Sequence, residues 1–244
     1  MSYSLQRSGY AQVENNFKYF REANMFDDRA LDDIPAHSLM FSDADAPING
    51  AGFSAWKRVF DVIGSVLLLP ALVLLASAIF FLNPMYNRGS LFFVQARMGR
   101  DCQPFRAIKF RTMRKAGSET RGANCPLEKH RITKLGSFLR KSRIDELPQI
   151  INVLRGEMSL IGPRPDYFDH AVEYVDKVPG YRERHAVRPG ISGLAQTELG
   201  YIEGVEGTRR KVKADLYYIT HMSLALEMWI FWRTIYVVVR RGGA

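Results

Sequence analysis

The sequence has few residues that could form disulfides or hold zinc. Its two cysteines among 244 residues, Cys102 and Cys125, lie far apart and form no C-x-x-C pair. We therefore expect ordinary thiols in a reducing compartment, which argues against a disulfide-rich secreted protein and against a dithiol redox centre. The five histidines also lack the spacing of zinc ligands, and no segment of the chain repeats another.

The sequence also lacks the patterns of nucleic-acid-binding proteins, although it is basic. The formal net charge is +9, and because residues 1–55 carry a net charge of −4, the remainder carries +13. The positive charge of residues 56–244 favours binding to a polyanion, to an anionic membrane surface or to phosphorylated substrates. No helix-turn-helix, zinc-finger or base-stacking aromatic pattern accompanies the charge, so we expect no nucleic acid as a partner.

The first 55 residues are polar and acidic and have no sustained apolar periodicity, which predicts a flexible N-terminal extension, residues 1–55. A short helix within residues 14–31 is compatible with the pattern. Residues 43–52 are rich in Asp, Ala, Pro and Gly, which is typical of a linker. No basic stretch leads directly into an apolar core, so we expect no signal peptide in this extension.

Residues 59–82 form the one run apolar enough for a membrane, with Asp61 near one end and Pro70 at the middle. As a single helix, the run would measure about 36 Å, enough to cross a hydrocarbon core of about 30 Å. Basic residues flank it on both sides, so the charge defines no inside and outside. A helix that enters and leaves through one leaflet explains this simply, and we predict a re-entrant membrane helix at residues 56–88. A spanning helix fits nearly as well, and a buried core helix fits less well.

Two strands are predicted after the apolar run, at residues 91–97 and 104–113, joined through a turn at residues 99–101. Lys109 and Arg111 are two positions apart, so their side chains share one face of the second strand. A basic strand face alone is usually just solvated. These two residues are therefore candidates for binding an anion only together with other groups.

The stretch that organises the rest of the chain is D-E-L-P-Q at residues 145–149, which leads into an apolar helical face. We predict that a helix begins there, with Asp145 near its N-cap and Pro148 in the first turn, where a missing N–H costs nothing. Gly156 should end this helix. Asp145 and Glu146 would then lie beside unpaired backbone amides, which can bind phosphate. An aspartate cap followed by an acidic first turn would explain the pair without any function.

Two arginines lie in segments whose backbone is restricted by proline and glycine. Arg164 lies between Pro163 and Pro165, which excludes regular helix or strand and fixes the backbone from which its side chain leaves. Arg188 precedes a Pro-Gly turn whose glycines allow backbone amides to approach an anion closely. Taken singly, a stiff connector and an ordinary turn would explain the two segments equally well.

The C-terminal part is predicted to contain helices at residues 167–178, 209–218 and 223–239. The last of these contains two tryptophans and a tyrosine and is followed by two arginines. This pattern is typical of a helix that lies in the headgroup layer of a membrane. A core helix of a soluble domain would fit the same segment about equally well.

Several short motifs follow one another in a fixed order from residue 56 onward. They are K-R-V-F-D at 57–61, F-V-Q-A-R-M-G at 93–99, K-F-R-T-M at 109–113, D-E-L-P-Q at 145–149, N-x-x-x-G-E-M-S at 152–159, G-P-R-P at 162–165 and R-P-G-I-S-G-L-A-Q at 188–196. In this order they resemble the bacterial sugar transferases, the monotopic phosphoglycosyl transferases. Two departures are visible: Arg143-Ile144 stands where many members have Ser-Leu, and the residues after Gln196 lack the Asn-Gly-Arg of many relatives. The second departure bears on which sugar is accepted.

The resemblance implies an α+β, mostly helical fold. It would consist of a re-entrant membrane helix hairpin, a small β-hairpin, and a compact cytosolic catalytic domain at residues 89–244 with interfacial amphipathic helices. It also implies that the protein lies at the cytoplasmic face of the inner membrane, with the lipid bilayer as a partner. The compact size is closest to members that serve exopolysaccharide synthesis, and the resemblance leaves a homodimer open.

The implied reaction transfers a hexose-1-phosphate from a UDP-sugar to undecaprenyl phosphate and releases UMP. By position in the motif, Asp145 would be the nucleophile that forms a covalent aspartyl-phosphosugar, and Glu146 would help to bind Mg²⁺. Direct transfer within one ternary complex is an alternative route. The sugar is not identified, since galactose, glucose or an acetamido sugar would all fit.

The resemblance also assigns substrate contacts to four basic residues. Arg164 and Arg188 would contact the diphosphate or the uridine, and Lys109 and Arg111 would be further substrate contacts. A membrane-anchored basic module without catalysis is the alternative from another class of protein. It would explain the positive charge, but it gives no reason for two carboxylates at a helix start or for an arginine framed by prolines.

Overall fold

The computed structural model describes residues 51–87, 89–114, 128–199 and 204–239. The predicted acidic extension lies outside these ranges apart from its last five residues, and so does most of the predicted linker. Within the described ranges the protein is mostly helical, with seven α-helices and two small two-stranded sheets. This confirms the predicted α+β, mostly helical class and the small β-hairpin.

The apolar run forms one long helix, α1 (Ala51–Tyr86), which extends beyond the predicted run at both ends. Among the described helices, it is the one whose length and composition would suffice to cross a membrane. Pro70 lies inside α1 and the helix continues through it, so the structure does not confirm the predicted hairpin. Many of its large apolar side chains are exposed, namely Val59, Ile63, Val66, Leu67, Leu68, Val73, Leu74, Phe80, Phe81, Leu82 and Met85.

One face of α1 packs against the rest of the protein along most of the helix. The carboxylate of Asp61 accepts hydrogen bonds from the Ser159 hydroxyl at 3.0 Å and from the Leu160 amide at 2.9 Å. Further along, the apolar positions of this face pack around Phe110. The spacing of the buried positions follows one side of a helix. They are Asp61, Ser65, Leu72, Ile79 and Asn83.

Both ends of α1 are bonded to the same body of the protein. Near the start, the Arg58 guanidinium donates to the carbonyls of Val153 at 2.7 Å and Leu154 at 3.1 Å. Just after the end, the side-chain amide of Asn87 donates to the Arg111 carbonyl at 2.5 Å. Because bonds hold it at both ends and packing holds it between them, α1 lies along the domain instead of projecting away from it.

Strands β1 (Phe92–Met98) and β2 (Pro104–Phe110) form the predicted antiparallel hairpin. The hairpin is held from outside by Asn152, whose side-chain oxygen accepts a hydrogen bond from the Ile108 amide at 3.1 Å. A bond from a buried side chain to the middle of a strand fixes that strand in place. The strand that carries Lys109 is therefore held rigidly.

Helix α2 (Lys134–Lys141) leads into the segment with the acidic pair. This segment begins as a 3₁₀ helix, Ile144–Gln149, and continues as α3 (Ile150–Leu154). Arg143 occupies the N-cap with a left-handed backbone, φ 58°, so Asp145 lies near the N-cap, as predicted. Pro148 is the fifth residue of the 3₁₀ helix, and the prediction that it lies in the first turn is wrong. Arg143 turns the chain sharply after α2, so helical geometry starts only beyond it and Asp145 falls in the first turn.

A second small sheet follows α3, which Gly156 ends with φ 83°, as predicted. Strand β3 (Ser159–Ile161) pairs in parallel with β4 (Gly190–Ser192), a segment predicted only as a tight loop. The pairing depends on close approach of two backbones, since a Cβ at Gly190 would lie 2.1 Å from the Gly162 amide nitrogen. The absence of a side chain lets the two segments meet beside the proline-framed arginine.

The remaining helices form most of the core, and they confirm the predicted C-terminal helices with shifted ends. Their side chains meet in one apolar cluster around the fully buried Tyr181 and Ile230. These helices are α4 (Phe168–Lys177), α5 (Leu194–Glu198), α6 (Gly204–Thr220) and α7 (Leu224–Val239).

Helix α7 has two different faces. Its inner face contributes to the core, so the interpretation of this segment as a core helix is correct for that face. The outer face exposes Phe231, Trp232, Ile235, Tyr236 and Val239. The interfacial interpretation therefore stays a prediction for the outer face.

Candidate active site

Glu146 is bound by cations from two other parts of the chain. The Arg164 guanidinium donates to Oε2 at 2.9 Å and to Oε1 at 2.5 Å, and the Lys109 ammonium donates to Oε1 at 2.6 Å. Arg143 lies further away, with its nearer nitrogen 3.9 Å from Oε2. The structure therefore brings three predicted site residues together, one from β2, one from the 3₁₀ helix and one from the proline-framed loop.

These contacts fix the charge states of the group. Glu146 is only 5% exposed, and burial alone would raise its pKa, but Arg164 and Lys109 outweigh burial and hold the pKa well below its usual value. Burial lowers the pKa of Lys109 to about 8, although the charge of Glu146 opposes this. At neutral pH we therefore expect an ionised Glu146 paired with a protonated Lys109.

Asp145 has a different environment, although it is the next residue. Among the residues that the structure describes, none donates a hydrogen bond to its carboxylate. Burial and the neighbouring charge of Glu146 raise the pKa of Asp145 to about 6, against the opposing charges of Lys109, Arg140 and Arg164. Above this pH the group is a partly desolvated carboxylate whose lone pairs are available for attack.

The loop that carries Arg164 is held through its carbonyl groups. Pro163 and Pro165 have no N–H, so the loop can donate few backbone hydrogen bonds of its own. The Arg164 carbonyl accepts a bond from Arg184 at 2.8 Å, and the Pro165 carbonyl accepts one from Arg97 at 2.9 Å. The rigidity that the prolines predict is therefore completed by side chains from elsewhere in the chain.

Sequence reasoning gave no role to Arg97 or Arg184. Arg97 belongs to one of the motifs that carry the resemblance, so its position could have been noticed. Arg184 lies in a polar stretch, E-R-H at residues 183–185, whose pattern resembles any exposed turn. It is nevertheless 2% exposed. Only the packing of the helices around it distinguishes it from a surface arginine.

Arg111 and Arg188, two of the residues predicted to contact substrate, donate hydrogen bonds to backbone carbonyls and not to the acidic pair. Arg111 is buried and donates to the Asn87 carbonyl, just after α1. Arg188 donates through Nε to the Gly156 carbonyl at 2.9 Å, and burial and the charges of neighbouring arginines lower its pKa. Their roles as substrate contacts stay predictions.

The oxygens at the acidic pair are compatible with the predicted Mg²⁺. The described residues contain no cluster of three or more His, Cys, Asp or Glu that could hold a metal ion. Mg²⁺ needs only one or two carboxylates where phosphates and water supply the other ligands. Oε1 of Glu146 accepts two close hydrogen bonds and Oε2 accepts one, so a lone pair of Oε2 is available, and Asp145 lies beside it. The residues therefore fit a Mg²⁺ that also binds donor phosphates.

Comparison with known protein families identifies the family of this chain. The model of one family, described as bacterial sugar transferase, matches residues 53–241. This covers well over half of the chain and includes every residue of the site. The chain therefore belongs to the bacterial sugar transferase family, which confirms the family predicted from the sequence.

Three relatives indicate which proteins this chain is similar to. It is 41% identical over 189 residues to a UDP-N-acetylgalactosamine-undecaprenyl-phosphate N-acetylgalactosaminephosphotransferase of Aeromonas hydrophila, covering 77% of this chain and 44% of the relative. It is 37% identical over 221 residues to a UDP-glucose:undecaprenyl-phosphate glucose-1-phosphate transferase of Caulobacter vibrioides, covering 87% and 78%. It is 37% identical over 199 residues to an exopolysaccharide production protein of Rhizobium leguminosarum bv. phaseoli, covering 76% and 96%. The chain thus spans less than half of the first relative and most of the other two.

Proposed function

We propose that the protein transfers a hexose-1-phosphate from a UDP-sugar to undecaprenyl phosphate, releases UMP, and serves exopolysaccharide synthesis. The names of two relatives describe sugar-phosphate transfer to undecaprenyl phosphate, and a third relative is named for exopolysaccharide production. UDP-N-acetylgalactosamine and UDP-glucose are the first donors to test, because relatives named for both are similar to this chain. UDP-galactose completes the panel.

In the first step, a carboxylate oxygen of Asp145 attacks the phosphorus that carries the sugar. A new P–O bond forms while the bond from this phosphorus to the bridging oxygen of the diphosphate breaks, and UMP leaves with the electron pair. The product is an aspartyl-phosphosugar. Support comes from the carboxylate of Asp145, which accepts no hydrogen bond from any residue that the structure describes, and from its pKa of about 6, which leaves the group ionised at neutral pH.

In the second step, a phosphate oxygen of undecaprenyl phosphate attacks the same phosphorus. The P–O bond to Asp145 breaks, the carboxylate is regenerated, and the sugar becomes attached to the lipid through a diphosphate. Atoms and charge balance without any oxidant or additional reactant. Asp145 therefore acts twice, as nucleophile in the first step and as leaving group in the second.

Positive charge must lie close to the phosphates, because an anion attacks a dianionic group. We propose that Lys109 and Arg164 contact the phosphates of the UDP-sugar, and that Glu146 holds these two side chains in place between catalytic events. Glu146 would also help to hold Mg²⁺, which when bound would neutralise phosphate charge. Arg188 is the better of the two further candidates, because only its Nε is bonded within the described residues, whereas Arg111 is buried.

We propose that α1 lies in the cytoplasmic leaflet of the inner membrane and does not cross it. A crossing helix has its ends on opposite sides of the bilayer, whereas Arg58 and Asn87, near the two ends of α1, both bond to the same domain. The exposed apolar side of α1 would then contact lipid chains, and the exposed aromatic side chains of α7 would contact headgroups. In this arrangement the acidic pair would lie at the membrane surface, where the phosphate of the lipid acceptor lies.

The observation that carries this proposal is the difference between two adjacent carboxylates. Within the described ranges, Glu146 accepts the hydrogen bonds of the nearby cations and Asp145 accepts none. The test uses the full chain in nanodiscs with undecaprenyl phosphate and Mg²⁺. UMP release is measured with each UDP-sugar of the panel. We expect lipid-dependent turnover with at least one donor, and no UMP from any donor would refute the proposal.

A second measurement separates the covalent route from direct transfer. With UDP-sugar labelled in the phosphate next to the sugar and no lipid acceptor, the label should become bound to wild-type protein but not to Asp145→Asn. Initial rates with both substrates should follow ping-pong kinetics. Normal transfer by Asp145→Asn would exclude the nucleophile assignment, and ternary-complex kinetics without bound label would favour the direct route.

A further inference from the structure

Arg184 is buried between two aspartates next to the loop that carries Arg164. Its Nε donates to Oδ2 of Asp215 at 2.9 Å, and one terminal nitrogen donates to Oδ2 of Asp166 at 2.6 Å. The other terminal nitrogen lies 2.7 Å from Oδ2 of Asp215 and donates to the Arg164 carbonyl at 2.8 Å. One planar guanidinium thus binds three acceptors, of which two come from residues 164–166 and one from α6.

The position of Arg184 is fixed by more than its own bonds. The Tyr181 hydroxyl donates to Oδ2 of Asp166 at 2.9 Å, and the Tyr181 ring lies under the guanidinium, 5.1 Å from its carbon to the ring centre. Arg184 is 2% exposed. A buried arginine with these contacts cannot move without breaking several hydrogen bonds, so whatever it binds is held in one place.

The Arg164 loop needs such a holder because of its two prolines. Without N–H groups at residues 163 and 165, the loop can be fixed mainly through carbonyls that accept bonds from elsewhere. Among the described residues, Arg184 is the donor that reaches the Arg164 carbonyl. That carbonyl belongs to the residue whose side chain binds both oxygens of Glu146.

We propose that Arg184 is a positioning residue: held by Asp166 and Asp215, it fixes the Arg164 carbonyl and thereby the direction in which the Arg164 side chain reaches Glu146. This inference rests on the proposed function, because it assigns a role within the same site. Within the described residues, Arg184 itself makes no hydrogen bond to Asp145 or Glu146. It acts entirely through Arg164.

Stability alone is a weak reason for this cluster. Well-packed apolar residues of similar volume often stabilise a protein as well as a buried ion pair or better, because charges lose their hydration on burial. What the cluster supplies is direction, since the planar fork of arginine specifies the angle as well as the distance of each bond. Direction matters at Arg164 because a displacement of about 1 Å in a catalytic group can cost about 100-fold in rate.

The test is a double-mutant cycle that joins Arg184→Lys and Arg164→Met. Lysine keeps the charge but places one nitrogen where arginine places three. We expect Arg184→Lys to lower kcat about 10- to 100-fold and to change KM for the UDP-sugar less than about threefold. In the Arg164→Met background, the same substitution should lower kcat less than about threefold. If the decrease in kcat of the double variant equals the product of the decreases in the two single variants, the proposal is overturned. An unchanged kcat in Arg184→Lys would also overturn it.

Two further variants keep the test decisive. If Arg184→Lys does not fold, as judged by its thermal unfolding, the cycle is repeated with Tyr181→Phe, which removes one hydroxyl bond to Asp166 and keeps the ring. Its effect should be smaller, about 3- to 10-fold in kcat, and should again disappear with Arg164→Met. If its effect is independent of Arg164, the proposal fails. Arg233→Lys, which alters an arginine bonded to Glu198 at 3.2 Å, is the matched control and should keep kcat within about twofold.

The outcome is distinguishable from failure of the proposed function. A wild-type protein that releases no UMP from any donor refutes the function before the cycle begins. Wild-type turnover with independent effects in the cycle refutes only the role of Arg184.

Discussion

Two buried clusters of charge lie side by side in this protein, and they divide their hydrogen bonds differently. Around Arg184, one arginine lies between Asp166 and Asp215, and both carboxylates accept bonds from it. Around Glu146, two cations donate to one carboxylate, while the adjacent Asp145 accepts nothing from the described residues. The first cluster leaves both acids satisfied, and the second leaves one acid free to react.

The two clusters are connected through one residue. The backbone of Arg164 is held by the closed cluster, and its side chain belongs to the open one. Arg184 is 2% exposed, whereas the Arg164 side chain is 33% exposed. A rigid interior group thus supports a group that substrate can reach, which is how a site can remain ordered and still be accessible.

The largest effect should come from making the same chemical change in both clusters. Asp145→Asn removes the proposed nucleophile, so transfer should fall more than about 10³-fold. Asp215→Asn keeps an oxygen that can accept from Arg184, so transfer should fall less than about tenfold. UMP release in nanodiscs measures both. Equal losses in the two variants would mean that Asp145 has no special role.

Stability should change in opposite directions at the two adjacent acids. The pKa of Asp145 is raised to about 6 in the folded protein, so ionisation of this group lowers the free energy of unfolding. This destabilisation is absent below about pH 4 and reaches its full size above about pH 6. Asp145→Asn should therefore raise the free energy of unfolding by about 1–2 kcal/mol at pH 7.5 and by nothing below pH 4, after allowance for partial exposure. Glu146→Gln leaves Arg164 and Lys109 without their anion and should lower the free energy of unfolding by about 1–3 kcal/mol. Thermal unfolding of both variants checks the signs, and a destabilised Asp145→Asn would contradict the described environment.

The pH dependence of the rate should report the charge states of Asp145 and Lys109 in the open cluster. Asp145 must be ionised to attack, so kcat/KM should fall about tenfold per pH unit below about pH 6. Lys109, whose pKa is about 8, should lose its charge above that pH and give an alkaline limb. Lys109→Arg should abolish the alkaline limb and keep the acidic one, because arginine stays protonated. A wild-type profile that is flat from pH 5 to pH 9 would rule out these assignments.

The smallest effects should come from the two arginines that lie apart from the acidic pair. Arg188→Met should raise KM for the UDP-sugar about 5- to 10-fold, because its terminal nitrogens are available to a phosphate. Arg111→Met should raise KM less than about threefold and mainly lower stability, because its guanidinium is buried against the Asn87 carbonyl. Initial rates measured against UDP-sugar concentration give KM for both variants. A larger increase in KM for Arg111→Met than for Arg188→Met would show that the guanidinium groups rearrange when substrate binds.

Much of the fold followed from local patterns. The apolar run predicted α1, alternation and turn residues predicted the β-hairpin, and Gly156 ended its helix as expected, because each of these depends on near neighbours in the chain. The parallel pairing of β3 with β4 was missed, because it joins segments about 30 residues apart through glycine backbones that carry no periodic signal. Pro148 was wrongly predicted to lie in the first turn, because the left-handed Arg143 that starts the helix has no side-chain signature.

The sequence by itself determined the family, the reactive residue types and the stiffness of the Arg164 loop, since these depend on short motifs and on proline chemistry. Only the tertiary structure decided which of two neighbouring acids binds the cations. Lys109 lies 37 positions before Glu146, and Arg164 lies 18 positions after it. Their meeting at Glu146 and not at Asp145 results from the packing of a hairpin, a 3₁₀ helix and a loop, which no local pattern specifies.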